Sequence, residues 1–363
     1  MATIGLVPRA GLGMAASRLS QAGRPARVTE ALYCPPAVRD DPGLAAAVQQ
    51  HVDEWAAGVH LAPGPASGLG RLVVLAHPDT NDVGRLAVAA RLLAVGRVLA
   101  AAGLGADERD LVRRAPGPTD GADSPGAPPM PGTPGVAADA PDSPDSPSAA
   151  AEAATALTEA LAEAAAEIYD GCDVPDDALP SRPDPARAGI ADPALLSALA
   201  GVSALPASPY QVQRVRAECE ALAAASGGGG GPRAPWEYLS LGHVNAYSPA
   251  LAALDAVDGF ELSASAAADP ELRRAQRLAA LAAALLHDIA SPVPSGLTAA
   301  IARADGLPPG AAGRRAAQVH DESMRAFQHH AAQLAASADP ATRRYLSGLW
   351  TWLGGHRTWH AVS

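Results

Sequence analysis

Residues 273–292 read RRAQRLAALAAALLHDIASP. Alanine and leucine fill almost every apolar position, and both are strong helix formers. Pro292 and Pro294 then end the run, because proline lacks the N–H a helix needs and disfavours helix in the residue before it. The same composition recurs along the chain. In LAAAVQQHVDEWAAG, Val48, Val52 and Trp55 return at helical spacing, behind the start signal Asp40, Asp41 and Pro42. GRLVVLAHPDTNDVGRLAVAARLLAVGRVLAAAG holds a second helix, a HPDTND turn and a third helix. Further helices are predicted at 149–169, 193–203, 208–225, 235–255, 270–290, 296–304, 312–337 and 340–353. No alternating apolar and polar pattern reaches the length of a strand. The fold class expected is all-α.

The length of 363 residues suits one large helical domain or two ordinary ones. Hydrophobic residues make up 48% and aromatics only 4%, so the core is built from Ala, Leu and Val. Residues 115–148, APGPTDGADSPGAPPMPGTPGVAADAPDSPDSPS, carry almost no large apolar side chain. Such a stretch buries too little surface to offset chain entropy, so a disordered Pro/Gly/Ser/Asp-rich insertion is expected. The domain reading is a disordered tail at 1–30, one helical domain formed by 31–114 and 149–363, and the insertion between its two parts.

The net charge of −11 and pI near 5.3 argue against nucleic acid and anionic membranes, which attract basic faces. Cys34, Cys172 and Cys219 form neither a zinc pattern nor a disulfide framework, so a reducing cytoplasm is expected. The N-terminus lacks the sustained apolar region of a signal peptide. The apolar run at 277–290 is too short to span a bilayer.

Five segments together carry a resemblance. They are LYCPPAVRDDPGL, LAHPDTND followed by GRL, PWEYLSLGHVNAYSPALAALDAVDGFEL, VHDE at 319–322, and SGLWTWLGGHRTWH. In order and spacing the chain is similar to bacterial class I terpene cyclases, most of all those of the 2-methylisoborneol synthase type. The likeness runs from about Leu32 to the last residue, interrupted by the insertion. It implies an antiparallel helical bundle around an apolar cavity, and ionisation of a prenyl diphosphate followed by carbocation cyclisation. That chemistry needs magnesium held by carboxylates on two facing helices, basic groups at the diphosphate, and a dry aromatic-lined cavity.

The resemblance also places the parts, and several are changed. The first metal motif is aspartate-rich, but its positions carry Ala100, Ala101 and Ala102; Asp107 and Glu108 follow just beyond. The second, NDxxSxxxE, falls on His287, Asp288, Ser291 and Ser295, with Pro292 and Pro294 interrupting the helix. Gly242 stands where a diphosphate-sensing arginine is implied, and the Arg-Tyr pair implied a few residues after GGHRTWH is not reached before Ser363. Arg357 matches a position near the cavity mouth, where it meets an anion or remains a surface residue. The reading is a terpene-synthase scaffold that has lost most of its diphosphate and magnesium ligands, a pseudoenzyme. One alternative is an active cyclase using Asp107, Glu108 and Asp288 with an unconventional magnesium site. Another is a non-catalytic protein that binds a terpenoid, forms a homodimer, pairs with an active cyclase or enters an encapsulin-type shell.

Plainer readings stand beside these. His287 and Asp288 are either a residual metal site or a hydrogen-bonded polar pair. Asp170, Asp173, Asp176 and Asp177 read as a solvated acidic loop, and HPDTND as a helix cap and turn. His329 and His330 read as surface, since adjacent helical residues share no face. Trp350, Trp352 and Trp359 read as core packing or cavity wall. Gly227–Gly231 lack the lysine and serine or threonine of a phosphate loop.

Overall fold

The computed structural model describes residues 28–102, 193–226 and 233–361. The predicted insertion, the helix at 149–169, the acidic loop, the glycine run, Asp107, Glu108 and Cys172 lie outside the described residues. Among the described residues every regular element is a helix. In chain order these are α1 (Val28–Ala31), α2 (Pro42–Gly58), α3 (Pro63–Ala66), α4 (Leu69–Ala76) and α5 (Val83–Ala102). Next come α6 (Pro193–Ala204), α7 (Pro209–Ser226), α8 (Pro235–Leu241), α9 (Ser248–Ala252) and α10 (Leu254–Asp258). The last are α11 (Ala264–Ala268), α12 (Pro270–Ala290), α13 (Leu297–Asp305), α14 (Pro309–Ser337) and α15 (Pro340–Ala361).

Local chemistry sets the helix ends. Asp41 accepts from Leu44 N at 3.0 Å and caps α2, with Pro42 at the first helical position. Asp269 does the same for α12, accepting from Glu271 N at 2.8 Å. The HPDTND segment is a cap and turn: Asp82 accepts from Arg85 N at 3.1 Å and opens α5. Arg39 closes the other side of that turn, donating to the carbonyls of Val74, His77 and Thr80 and so satisfying oxygens that α4 leaves open. His77, fully buried, meets Asp258 at 2.9 Å and ties the turn to α10.

Two boundaries differ from the sequence reading. The helix predicted over 235–255 is three pieces. Asn245 donates to Gly242 O at 2.7 Å and to Ala280 O at 2.8 Å, and accepts from Tyr247 N at 2.8 Å. Side-chain bonds therefore replace the backbone ladder there. Gly96 of α5 packs on the Ala246 carbonyl of this break, where any Cβ would overlap it. The last helix, predicted to stop at Leu353, continues through Gly354 and Gly355 to Ala361. A Cβ on Gly354 would lie 2.8 Å from Pro36 O, and one on Gly355 2.5 Å from the Leu75 carbonyl carbon. The glycines are clearance for α4 and the Pro35–Pro36 segment, which outweighs their cost of about 1 kcal/mol each in a helix.

The core follows from the alanine content. α12 packs along α14 and α15, α4 lies against α2 and α15, and α5 contacts α2, α4, α6 and α7. Alanines 275, 279, 282 and 283 are fully buried on α12, so its neighbours approach toward the close end of the helix-packing range. Leucines supply the larger contacts, such as Leu72, Leu92, Leu254 and Leu286, each contributing about 1.5–3 kcal/mol. A second, smaller apolar cluster forms around α13 from Leu285, Leu297, Ile301, Ala312, Ala316 and Val319. The first and last described segments are clasped. Cys34 Sγ donates to Leu353 O at 3.3 Å and Ala37 N donates to Thr358 Oγ1 at 3.3 Å. Tyr33 N donates to Asp321 at 2.8 Å.

Candidate functional site

The last turn of α12 sends its two polar residues in different directions. His287 turns to α15, where its Nδ1 lies 3.4 Å from His360 Nε2. Asp288 turns to α13 and accepts from Thr298 N at 2.9 Å and Thr298 Oγ1 at 3.2 Å. The two do not form the hydrogen-bonded pair that their adjacency suggested. Neighbours on a helix point about 100° apart, so two different clusters claim them.

His287 enters an aromatic cluster. On α15, Trp352, His356 and His360 recur every four residues and are all buried. The His356 ring is 4.8 Å from His360, 5.2 Å from Trp352 and 4.6 Å from Tyr247, between centroids. Tyr247 also meets Trp352 at 5.7 Å and His287 at 6.1 Å. Trp359 Nε1 donates to Gly68 O at 2.9 Å, and Gly68 holds φ at +70°, a conformation glycine adopts freely. From the far end of α5, the Arg97 guanidinium lies 5.2 Å over the Trp359 ring and donates to Pro65 O at 3.2 Å. Trp352 therefore belongs to the core.

Electrostatics keep these imidazoles neutral. Burial pushes His287 down to about 4, and the Arg97 charge acts in the same direction. Burial also holds His356 and His360 well below the ordinary histidine range, with neighbouring imidazoles and Arg97 adding to it. Both ring nitrogens of His356 and the Trp352 Nε1 are buried without a hydrogen-bond partner. Unpaired buried polar atoms of this kind cost about 1–3 kcal/mol each, so the cluster is held by packing.

Asp288 has a separate task. Its carboxylate caps α13, engaging the free N–H of Thr298 at the positive end of that helix. Burial raises its carboxyl above the usual range, and the Thr298 bonds partly offset this. Its Oδ1 is sealed against the Gly296 backbone, where no Cβ fits. Ser291 is the exposed C-cap of α12, and Ser295 lies half-buried in the turn before α13. Ala100 and Ala101 end α5, half-buried and without a ligand atom. Gly242 ends α8, and a Cβ there would sit 2.8 Å from Leu281 Cδ1. Arg357 is half-buried, with its Nε sealed and unpartnered. Its charge lowers the Cys34 thiol, but burial dominates and pushes that thiol up to about 12. His329 is exposed, while His330 is half-buried and reaches Glu271 at 3.3 Å.

These residues do not fit a magnesium ion. Magnesium takes hard oxygen ligands in near-octahedral order. One oxygen of Asp288 is bonded to Thr298; the other lies buried beside Gly296 without a hydrogen-bond partner, and a single carboxylate oxygen does not make a magnesium site. Its neighbour His287 presents nitrogen, and Ser291 faces solvent. Among the described residues no group of three or more His, Cys, Asp or Glu side chains is arranged to hold a metal. Sequence reasoning named Asp288, His287 and Arg357, gave His356 and His360 no role, and missed Tyr247 and Arg97. The four-residue spacing of Trp352, His356 and His360 was a usable signal; the partners from α5 and the α8–α9 break were not.

Comparison with known proteins places this architecture. No family model matches the sequence. A 2-methylisoborneol synthase of Saccharopolyspora erythraea is 37% identical over 170 residues, covering 42% of this chain and 48% of that protein. The crystal structure of 2-methylisoborneol synthase from Streptomyces coelicolor A3(2), in complex with Mg2+ and geranyl-S-thiolodiphosphate, superposes with a TM-score of 0.61. It is 25% identical, with 91% of this chain and 94% of that one covered. Over the 170-residue stretch the chain is similar to 2-methylisoborneol synthases, and it has the fold of the class I terpene synthases. Germacradien-4-ol synthase from Streptomyces citricolor shares that fold at 17% identity, with a TM-score of 0.57 and coverage of 92% and 98%. The matched stretch spans less than half the length of the curated relatives, 48% of the Saccharopolyspora protein and 31% of one from Streptomyces griseus. Among the described residues no helix of this chain is long and apolar enough to cross a membrane.

Proposed function

We propose that this chain keeps the terpene synthase scaffold without the machinery that ionises a prenyl diphosphate, and that its role is one of binding or interaction. Asp288 carries the reading. It is the only carboxylate at the position of the second metal motif, and it is engaged in capping α13 rather than facing a ligand. Three further positions support it. Ala100 and Ala101 offer no ligand atom, Leu281 fills the space beside Gly242, and His287 is paired with His360. The related synthase is described with Mg2+ and a geranyl thiolodiphosphate. Losing a single electrostatic donor typically costs an enzyme about a hundredfold to a thousandfold in rate. Losing several leaves no route to diphosphate release at a useful speed.

The test is direct. Purified protein with magnesium is given geranyl, 2-methylgeranyl and farnesyl diphosphates, and released diphosphate is measured. A folded, helical sample is expected to release none above a heat-killed control. Release well above that control, abolished in Asp288→Asn, would overturn the reading and make the chain a cyclase with an unconventional magnesium site. Asp288→Asn is the chosen variant because an amide oxygen still accepts from Thr298. Capture of an intact cyclase or a second copy would then identify the partner.

A further inference from the structure

Midway along α12, on the side facing α7, the bundle opens into a cavity of about 200 Å³. Glu218 of α7 and Arg277 and Gln276 of α12 line it, with His243 and Val244 from the α8–α9 break and Ala280 at its inner wall. It lies two to three turns before His287, away from the aromatic cluster. Its volume equals about six water molecules, against the roughly 300 Å³ or more of a pocket for larger organic ligands.

The charges facing this space are unmatched. Glu218 and Arg277 are each half-buried, yet among the described residues neither makes a hydrogen bond or ion pair, with each other or with anything else. They do feel one another, since Arg277, and after it Arg214, offset part of the burial effect on the Glu218 carboxyl. Gln276 accepts from Tyr345 OH at 3.0 Å, which fixes its oxygen outward from the cavity and leaves its amide hydrogens for it. His243 is held neutral by burial and by the Arg277 charge. A helix pair that wanted only stability would have closed Glu218 onto Arg277 or replaced both with apolar groups.

We propose that this cavity is a binding site for a small zwitterion of the free α-amino-acid class, its carboxylate on Arg277 and Gln276 and its ammonium on Glu218. A guanidinium presents a planar fork suited to a carboxylate. A simple anion would face Glu218, and a simple cation would face Arg277; a molecule carrying both charges satisfies both walls. Size restricts the side chain to a few atoms, and Val244 and Ala280 give it an apolar surface. The site is independent of whether the chain handles diphosphates.

Equilibrium dialysis of the full chain against labelled glycine, L-alanine, L-serine and L-threonine tests it, with propionate and ethylamine as single-charge controls. At least one amino acid should bind saturably, and each control at least tenfold more weakly. Arg277→Met and Glu218→Gln should each weaken binding at least tenfold. Ala221→Trp, at the exposed rim, should block entry while leaving both charges in place. Circular dichroism confirms that each variant is folded. No saturable binding by the folded wild-type chain would overturn the proposal. So would binding unchanged in Arg277→Met and Ala221→Trp, or propionate binding as tightly as alanine.

Discussion

α12 has two polar regions that answer burial in opposite ways. At its C-terminal end both titratable groups meet the protein: His287 meets His360, and one oxygen of Asp288 meets the N-terminus of α13. In its N-terminal half, Arg277 faces a cavity across from Glu218 of α7 without meeting it. The first arrangement is a polar cluster packed into the core. The second fits a region where charge is kept available. One helix thus borders both a closed polar cluster and an open one, and the cavity beside Arg277 is what distinguishes them.

The contrast can be broken at the closed end first. His287 has a folded pKa of about 4 against an ordinary 6.5. Between those values the unfolded chain takes up a proton that the folded chain refuses, so stability is full above about pH 6.5 and falls as pH drops toward 4. His287 alone should contribute a loss on the order of 3 kcal/mol, with His356 and His360 adding in the same direction; the loss is read as a falling urea midpoint, and His287→Gln should reduce the slope. Next in size is Gly242→Arg, which returns the arginine implied for that position. Its Cβ meets Leu281, so it should cost about 1–3 kcal/mol through overpacking and should restore no diphosphate release.

Asp288→Ala removes the cap of α13 and should cost about 1–2 kcal/mol, while Asp288→Asn should cost less because it still accepts from Thr298. Thermal midpoints of the two variants decide this, and equal losses would mean the charge matters more than the bond. The smallest effect is at the open end. Arg277→Met should change stability by no more than about 0.5 kcal/mol, since no partner is lost. A large loss there would show that the open cluster is structural after all.

Much of the fold was legible. α12 was predicted at 270–290 and spans Pro270–Ala290, because a capping aspartate, a proline at each end and an unbroken Ala/Leu pattern are all local signals. The break at 242–247 was not, since nothing local shows that Asn245 will bond Ala280 O, 35 residues away. The continuation of α15 was hidden for a related reason. Gly354 and Gly355 look like a stop in one dimension and become clearance only beside α4. The site was half legible. Positions such as Ala100, where the resemblance implies an acid, can be read from sequence, but the cluster around His287 is assembled from four separate segments and can be seen only in three dimensions.

The clasp between residues 33–37 and 353–358 bears on how the protein is made. Cys34 and Leu353, joined by one bond, are 319 positions apart. At a typical synthesis rate of about 5–20 residues per second, the early segment waits for its partner on the order of tens of seconds. Until α15 has emerged, α4 lacks a wall and the Pro35–Pro36 segment has nothing to rest on. The nascent chain must carry exposed Leu72 and Leu75 through that interval, which makes this the period in which a chaperone would have the most to hold.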